Sequence, residues 1–301
     1  QWPLIRVKDT RLALIAAAAA WRRRCRALIV GITGSSGKTT VKEMTAAMLR
    51  ASGSVCATRG NLNNDLGLPL SILSMRDDDA FGVFEAGTNH PGEIAVLAAT
   101  MRPSAAIITN IGCAHIEHFG SVEAIAREKG ALLGVLPTTG FAVLSLECEC
   151  FKTVAKLSPA GLVTVSLSRR DADFYGALTD PFEGVLSVVE KGTGEKTVLR
   201  SGLPGEHIAE DLLLAFAAAR KSGIAAAAAG RKLEGLVLPA MRWSVSRYDG
   251  VTVVNDAYNA NPQSMRAVIS TFMRQPGEGR KILVLGDMLE LGAQTETLHR
   301  E

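Results

Sequence analysis

The stretch ALIVGITGSSGKTTVKEMTAAML, residues 27–49, decides the fold. An apolar run over residues 27–32 meets a turn rich in glycine and serine. The turn leads into a stretch in which Val41, Met44 and Met48 fall on one helical stripe. The pattern therefore predicts a strand, a loop and a helix, which is the layout of a loop that binds phosphate.

The turn between this strand and this helix carries the residue types that a nucleotide site needs. Successive backbone N–H groups at the N-terminus of a helix point at the same anion. Lys38 can reach the terminal phosphates, and the Thr39 hydroxyl can bind Mg2+. A full Walker pattern has glycine where Ile32 stands, so this is a shortened variant, with a structural turn as the alternative. The predicted nucleotide-binding residues are Gly34, Ser35, Ser36, Gly37, Lys38, Thr39 and Thr40.

Composition limits the classes of function. The chain of 301 residues is 47% hydrophobic and 21% charged, so it can bury a sizeable core. A net charge of +3 is too small to indicate nucleic-acid binding, and the basic group at residues 22–26 is predicted to be a solvated helix end. Five cysteines without paired zinc spacing indicate reduced thiols. With no signal peptide and no apolar run of membrane-spanning length, we expect a cytoplasmic protein without a membrane partner.

Apolar strand candidates alternate with helical stretches through the first half of the chain. The strand candidates are residues 27–33, 80–86, 104–109, 140–146 and 162–167. This alternation predicts an α/β fold with a mostly parallel sheet flanked by helices on both faces.

The remaining segments do not follow this alternation of strands and helices. Short alternating runs around a Gly-Thr-Gly turn predict an antiparallel β insertion over residues 171–200. A strand-helix-strand unit over residues 250–286 predicts the start of another α/β domain. Further helices are predicted at residues 11–26, 208–222 and 224–235.

Candidate metal ligands follow two of the predicted strands. Glu85 ends a strand where doubly wound sheets place their ligands, and it can hold Mg2+ directly or through water. A solvated acid at a strand end is the alternative. His115 and His118 could bind a transition metal together if they were helical, but Gly112 and Gly120 predict a loop. We therefore favour a single histidine as a ligand.

A lysine lies in the apolar stripe of the helix predicted to start after Ser121. Lys129 shares this stripe with Val122, Ile125 and Leu132. Such a lysine either snorkels to the surface or is held inside by a nearby charge. With a lowered pKa, its amine could be carboxylated by carbon dioxide and become an anionic metal ligand. The residues alone leave both possibilities open.

Three polar segments are candidates for substrate contact. The loop TRGNLNNDLGLPLSIL contains Asn61, Asn63 and Asn64, and it is either a turn or a surface that recognises a polar substrate. The segments NDAYNANPQSM and GDMLEL follow the strands of the last predicted unit and would face a cleft between domains. Arg242 stands just before that unit.

Seven segments, taken in this order, resemble the Mur ligase family. They are GITGSSGKTT, GNLNNDLGLPLSIL, EAGTNHPGEI, TNIGCAHIEHFGS, LPGEH, DAYNANPQSM and GDMLELGA. Within the family, AHIEHFGS, YNANP and GDMLELGA resemble the branch that adds D-Ala-D-Ala. The resemblance implies an ATP-dependent amide ligase of peptidoglycan precursor synthesis. Its substrates would be UDP-N-acetylmuramoyl-tripeptide, whose carboxylate takes the γ-phosphate, and D-Ala-D-Ala, whose amine attacks the acyl phosphate.

The resemblance also implies roles for the candidate catalytic and metal-binding residues. Lys38 would stabilise the transferring phosphoryl group, and Thr39 with Glu85 would hold one Mg2+. His115 and Lys129 would hold a second Mg2+, with carboxylation of Lys129 left open. Catalysis would therefore depend on Lys38, His115 and Lys129.

Contacts to the two larger substrates are implied in the same way. Arg242 would reach the ATP phosphates, Asp256 would contact the ribose, and Asn259 would belong to the nucleotide site. The muramoyl-peptide site would include Asn61, Asn63 and Asn64. In this chain, Ile208 and Asp211 stand where the family usually has asparagines.

By the same resemblance, the chain divides into three parts. Residues 1–26 would end an N-terminal UDP-binding domain and its linker helix, residues 27–240 would form the central ATP-binding domain, and residues 241–301 would form part of a Rossmann-like C-terminal domain. We therefore expect a piece of a longer, monomeric enzyme with little turnover alone, because closure of all the domains completes such sites. The alternatives are a Mur-like ligase with another amine acceptor and a non-catalytic ATP-binding module.

Overall fold

A computed structural model describes residues 3–277 and 279–301. Its strands are β1 (Leu28–Thr33), β2 (Val55–Ala57), β3 (Phe81–Glu85), β4 (Ala105–Ile108), β5 (Phe141–Ser145), β6 (Gly161–Ser166), β7 (Phe174–Asp180), β8 (Val185–Glu190), β9 (Lys196–Arg200), β10 (Ser244–Tyr248) and β11 (Val251–Asn255). Its helices are α1 (Thr10–Arg22), α2 (Lys38–Leu49), α3 (Gly67–Leu73), α4 (Glu93–Met101), α5 (Ile116–Phe119), α6 (Val122–Gly134), α7 (Phe151–Ala155), α8 (Glu206–Lys221), α9 (Ala226–Arg231), α10 (Pro262–Arg274) and α11 (Thr295–Arg300).

One large sheet organises the molecule. Its strand order is β2-β3-β1-β4-β5-β6-β7-β8-β9, and neighbouring strands from β2 to β7 run parallel. The predicted mostly parallel sheet is confirmed, and all five strand candidates form. The short strand β2 escaped prediction because three half-buried residues carry no readable periodicity.

The predicted antiparallel segment extends this sheet. Strands β7, β8 and β9 pair antiparallel with one another, and β7 joins the sheet through a parallel pairing with β6. Residues 171–200 are therefore antiparallel, as predicted, and they lengthen one edge of the sheet.

Helices cover both faces of the sheet and bury it. Helices α2, α8 and α9 pack on one face around Met44, Val83 and Leu212. Helices α1, α3, α4, α6 and α7 pack on the other face around Phe84 and Leu132. Because both faces are covered, the central strands are apolar along nearly their whole length.

The end of helix α1 differs from the prediction. The helix ends at Arg22, and the side chain of Arg22 is buried. Its guanidinium donates to the carbonyl oxygens of Met101 (2.7 Å), Cys25 (2.9 Å) and Arg102 (3.1 Å). The prediction of a solvated basic end is wrong for this residue, because carbonyls left free at two chain turns need a donor.

The last predicted unit forms only in part. Strands β10 and β11 make an antiparallel hairpin, and α10 follows with an N-terminal capping box at Asn261. The strand predicted to end this unit, near residues 280–286, is absent from the part of the chain that the structure describes. Ile282 and Val284 there are exposed. An apolar run forms a strand only where a neighbouring strand completes its hydrogen bonds.

Candidate active site

The carboxyl ends of β1, β3 and β4 open into a cleft of about 630 Å³. The cleft is lined by the phosphate loop after β1, by Glu85 at the end of β3 and by Asn110 after β4. Arg242, Tyr258 and neighbouring residues of the last unit line its opposite side. A parallel sheet places its ligands at this edge, so the predicted location of the site is matched by a cavity of suitable size.

The phosphate loop is held in one conformation by its neighbours. A Cβ atom at Gly34 would lie 1.9 Å from the Thr109 hydroxyl oxygen, so only glycine fits there. Gly37 has φ 76° and stands at the N-cap of α2. The Ser36 backbone N–H donates to the Asn110 side chain at 2.9 Å. The loop therefore presents the N-terminus of α2 to the cleft, as an anion site requires.

Two oxygen-bearing side chains at the mouth of the phosphate loop are in contact with each other. The Thr39 hydroxyl donates to the Glu85 carboxylate at 3.0 Å, and Asn63 donates to the other carboxylate oxygen at 2.8 Å. The described residues contain no cluster of three or more His, Cys, Asp or Glu side chains suited to a metal. One hydroxyl and one carboxylate fit Mg2+, which takes its remaining oxygens from phosphates and water.

Lys129 lies inside the protein, on helix α6. Its side chain is 2% exposed, so the alternative that it snorkels to the surface is wrong. Within the described residues its amine makes no hydrogen bond or ion pair. Burial, and then the charge of Lys38, lower the pKa of Lys129 well below its usual value. A buried amine with a lowered pKa and no partner among the described residues fits the predicted carboxylation and metal binding.

Glu128, which precedes Lys129 in the sequence, is hydrogen-bonded to another helix. Glu128 accepts hydrogen bonds from the backbone N–H groups of Gly92 (2.7 Å) and Ile94 (2.8 Å) at the start of α4. Its carboxylate is thus committed to the N-terminus of that helix. The Lys129 amine is left for another partner.

His115 lines the cleft and has an unusual backbone. It stands at φ 60° before the one-turn helix α5, which replaces the continuous loop that was predicted. Burial lowers the pKa of His115, although the nearby carboxylate of Glu290 opposes the shift. His118 instead packs edge-on against His90, with ring centroids 4.6 Å apart. The two predicted histidines therefore have separate neighbours, which favours His115 alone as a ligand.

The three predicted substrate asparagines all line the cleft, but they are not equally free. Asn63 is bonded to Glu85, as described above. Asn64 accepts from the backbone N–H groups of Leu66 (3.2 Å) and Gly67 (2.8 Å), so it caps the start of α3. Asn61 also faces the cleft. The turn and the substrate readings of this loop are therefore compatible.

Arg242 brings the last unit against the phosphate loop. Its guanidinium donates to the Thr39 hydroxyl at 3.2 Å and lies 4.1 Å above the centre of the Tyr258 ring. The Asp256 carboxylate accepts from the Trp243 backbone N–H at 2.7 Å, which fixes the chain next to Arg242. Asp256 and Asn259 also line the cleft.

Sequence reasoning missed several residues of this site. The Asn261 side chain donates to the Ser36 hydroxyl at 3.0 Å, and Asn110 holds the same residue from β4. Asn261 and Tyr258 lie inside the quoted segment NDAYNANPQSM, so a polar and aromatic cluster after a strand was their available signal. Asn110 follows a strand by two positions and carried no signal of its own.

Asp211 is the least expected group in the cleft. Its carboxyl is 6% exposed and packs against Gly37, where an added Cβ would lie 2.4 Å from a carboxyl oxygen. Among the described residues it receives no hydrogen bond. Burial, and then the charge of Glu210, raise the pKa of Asp211 well above its usual value, although Arg242 opposes the shift.

We expect Asp211→Asn to stabilise the protein at neutral pH. The folded protein holds the Asp211 proton to a higher pH than the unfolded chain, so Asp211 costs stability as pH rises from about 4 through its raised folded pKa. An amide carries no charge and removes that pH-dependent cost, which grows by about 1.4 kcal/mol for each pH unit between the two pKa values. Urea unfolding from pH 4 to 8 should show a gain that grows with pH. The exposed control Asp77→Asn should change little, and an equal gain at every pH would contradict the explanation.

Comparisons with known proteins show that the chain matches one protein family. Residues 32–219 match the Mur ligase middle domain, and residues 241–301 match the domain described as "Mur ligase, glutamate ligase domain". The UDP-N-acetylmuramoyl-tripeptide–D-alanyl-D-alanine ligase of Escherichia coli is 36% identical over 300 residues, covering 99% of this chain and 66% of that protein. The ligase of the same name from Bacillus subtilis is also 36% identical, covering 99% of this chain and 64% of that protein.

Solved structures agree with the sequence comparison. A crystal structure of MurF from Acinetobacter baumannii superposes with a TM-score of 0.91 at 30% identity, covering 99% of this chain and 66% of that one. The MurF ligase of Thermotoga maritima in complex with ADP gives a TM-score of 0.87 at 28% identity, covering 98% of this chain and 68% of that one. The chain thus spans just under two thirds of the length of the curated relatives named above, 66% and 64%.

Two further observations bear on the predicted setting. In the described residues, no helix combines the length and the apolar character needed to cross a membrane. The five cysteines are free thiols.

Proposed function

Because the chain belongs to the Mur ligase family, we propose that it carries the ATP-dependent chemistry of a ligase that joins D-Ala-D-Ala to UDP-N-acetylmuramoyl-tripeptide. The observation that carries the proposal is the meeting of three groups at one hydroxyl. The Thr39 hydroxyl contacts Glu85 at 3.0 Å and Arg242 at 3.2 Å, and the phosphate loop with Lys38 lies directly beside it. A binding turn without catalysis does not need this combination.

The phosphate loop and its lysine would handle the transferring group. Lys38 donates to the Gly34 carbonyl oxygen at 2.9 Å and lines the cleft, so its ammonium is within reach of a terminal phosphate. Arg242 would add a second positive charge from the opposite side. Charges fixed in place before the reaction stabilise the transition state of phosphoryl transfer, because they need no reorganisation.

The residues suited to Mg2+ fall into two groups. Thr39 and Glu85 would hold one ion, and His115 with Lys129 would hold another. Bound Mg2+ would neutralise charge on the phosphates and on the substrate carboxylate. Lys129 would contribute to this only as a neutral amine or as its carboxylated form, and its lowered pKa favours loss of the ammonium proton.

The residues that line the cleft suggest where each substrate would bind. Asn61, Asn63 and Asn64 would contact the muramoyl peptide, since all three line the cleft. Asp256 and Asn259 would contact the nucleotide from the last unit. The D-Ala-D-Ala acceptor is proposed because it is named for both curated relatives described above.

We further propose that residues 27–240 act as the ATP-binding domain between the two flanking parts predicted from the sequence. A monomeric, cytoplasmic enzyme remains the expectation. The chain alone should turn over slowly, because ligases of this layout close several domains around the substrates.

Phosphate release from ATP tests the proposal. The assay would contain Mg2+ and UDP-N-acetylmuramoyl-tripeptide, with and without D-Ala-D-Ala. It would use the 301-residue chain and the same chain joined to the additional segments of the Escherichia coli relative. We expect release by the extended chain to depend on both substrates, and the 301-residue chain to be much slower.

Other results would favour the rivals. Release that responds to another amino acid but not to D-Ala-D-Ala would change the acceptor. ATP binding without release under any condition would indicate a non-catalytic nucleotide-binding module. Full turnover by residues 1–301 alone would contradict the expectation that the flanking segments are needed.

A further inference from the structure

One ion pair links the end of the chain to the proposed metal site. The Nδ1 atom of His115 is hydrogen-bonded to the carboxylate of Glu290. The two residues are 175 positions apart, and Glu290 belongs to the segment GDMLEL, which the sequence predicted to face a cleft. Nothing in the proposed phosphate chemistry uses Glu290.

Further contacts hold the segment of Glu290 in place next to His115. The Glu117 backbone N–H donates to the Glu290 carbonyl oxygen at 3.2 Å, so the segment is also held by its main chain. Leu291, next to Glu290, is 2% exposed and anchors the segment in the protein. Both His115 and Glu290 have φ 60°, which is uncommon for residues other than glycine. Backbone conformations of this kind cost energy and occur often at functional sites. Two such residues in contact are typical of a site whose geometry is held despite that cost.

The hydrogen bond determines which nitrogen of His115 is free. A carboxylate only accepts hydrogen bonds, so Nδ1 must carry the proton. In the neutral ring, the lone pair then belongs to Nε2, which becomes the one nitrogen able to bind a cation. Histidines that bind metals usually have their other nitrogen held in this way by a carboxylate or carbonyl, which sets both tautomer and ring orientation.

We propose that Glu290 is a positioning residue that holds His115 ready to bind a divalent cation through Nε2. This inference rests on the proposed function for the identity of His115 as a ligand. It adds that the cation site depends on a residue from the segment 286–291, so the site is complete only when that segment is docked on α5. An ordinary surface ion pair would have no such consequence.

The test is a titration of the 301-residue chain with Mn2+ in the presence of ADP, followed by electron paramagnetic resonance of free Mn2+. The variants are Glu290→Ala, Glu290→Gln, His115→Ala and the double variant His115→Ala/Glu290→Ala. Glu296→Ala is the matched control, because it removes an exposed glutamate from the same part of the chain. ADP affinity without metal and the thermal midpoint of each variant report on folding.

We expect Glu290→Ala to weaken the His115-dependent Mn2+ site by about 10-fold or more, and Glu290→Gln to weaken it less, because the amide oxygen can still accept from Nδ1. Glu296→Ala should match the unchanged protein. Removing Glu290 should have no further effect once His115 is alanine. Metal-free ADP affinity should stay the same in Glu290→Ala, Glu290→Gln and Glu296→Ala.

Two results would overturn the inference. One is Mn2+ affinity in Glu290→Ala within 2-fold of the unchanged protein, a margin well below the tenfold change expected of such a partner. The other is an equal loss from Glu290→Ala with and without His115. Either result, in a protein whose extended form still ligates D-Ala-D-Ala, would leave the proposed function standing. If the extended chain failed to ligate D-Ala-D-Ala while Glu290→Ala still weakened Mn2+ binding, the role of Glu290 would stand and the proposed function would fail.

Discussion

Replacing Lys38 by methionine is expected to lower ATP-dependent phosphate release by the extended chain by about 10²–10³-fold or more. Methionine keeps the length and apolar stem of the side chain but removes the charge that faces the phosphates. Burial lowers the pKa of Lys38, while the negative charge of Glu85 opposes this shift. Bound phosphate would supply more of that negative charge.

The Lys38→Met result separates catalysis from binding. Its kcat should fall much more than its affinity for ADP, because the lysine charge is needed most where negative charge develops in the transition state. The exposed control Lys196→Met should retain full phosphate release. Equal losses of kcat and ADP affinity would indicate that Lys38 serves only to hold the nucleotide.

Local pattern was enough to predict the parallel half of the sheet. An apolar strand followed by a glycine-rich turn and a helix predicts a parallel sheet. Parallel strands need a crossover connection, and the helix that forms this connection packs on the sheet. The failures are of another kind. The strand predicted near residues 280–286 needs a neighbouring strand, and Arg22 is buried only because the carbonyl oxygens of Met101 and Arg102 lie beside it. Such partners are distant in sequence and leave no trace in the local pattern.

The site was predictable to a similar degree. Lys38, Thr39 and Glu85 follow strands that end at one edge, so their meeting follows from topology. The pairing of Glu290 with His115 does not, because it depends on how the last segment folds back over α5. Asp211 could be located on α8, but its packing against Gly37 requires the tertiary structure.

Replacing Lys129 by methionine should have opposite effects on activity and stability. Phosphate release by the extended chain should fall by about 10²-fold or more, if Lys129 supplies a metal ligand as proposed. In EDTA, where no metal binds, the free energy of unfolding of the 301-residue chain should rise by about 1–3 kcal/mol, because a buried amine without a partner is replaced by a thioether of similar shape.

The pH dependence of that stability gain follows from the pKa of Lys129. The pKa is lowered well below 10.5 in the folded protein, so the unfolded chain binds more protons over the pH range between the two pKa values. Stability of the unchanged protein therefore rises with pH across that range, and the charge-dependent part of the advantage of Lys129→Met is largest at low pH and disappears near pH 10.5. Urea unfolding at several pH values measures this directly, with exposed Lys152→Met as the control.

Active sites often lower the stability of a protein, and Lys129 provides a direct test of that trade-off here. If Lys129→Met were both active and more stable, the buried lysine would have no catalytic role, and the second metal site would have to be sought without it. If the variant were inactive and less stable, Lys129 would be holding the protein together through contacts that its burial conceals. Loss of turnover together with greater stability is the one combination that assigns the buried amine to the chemistry.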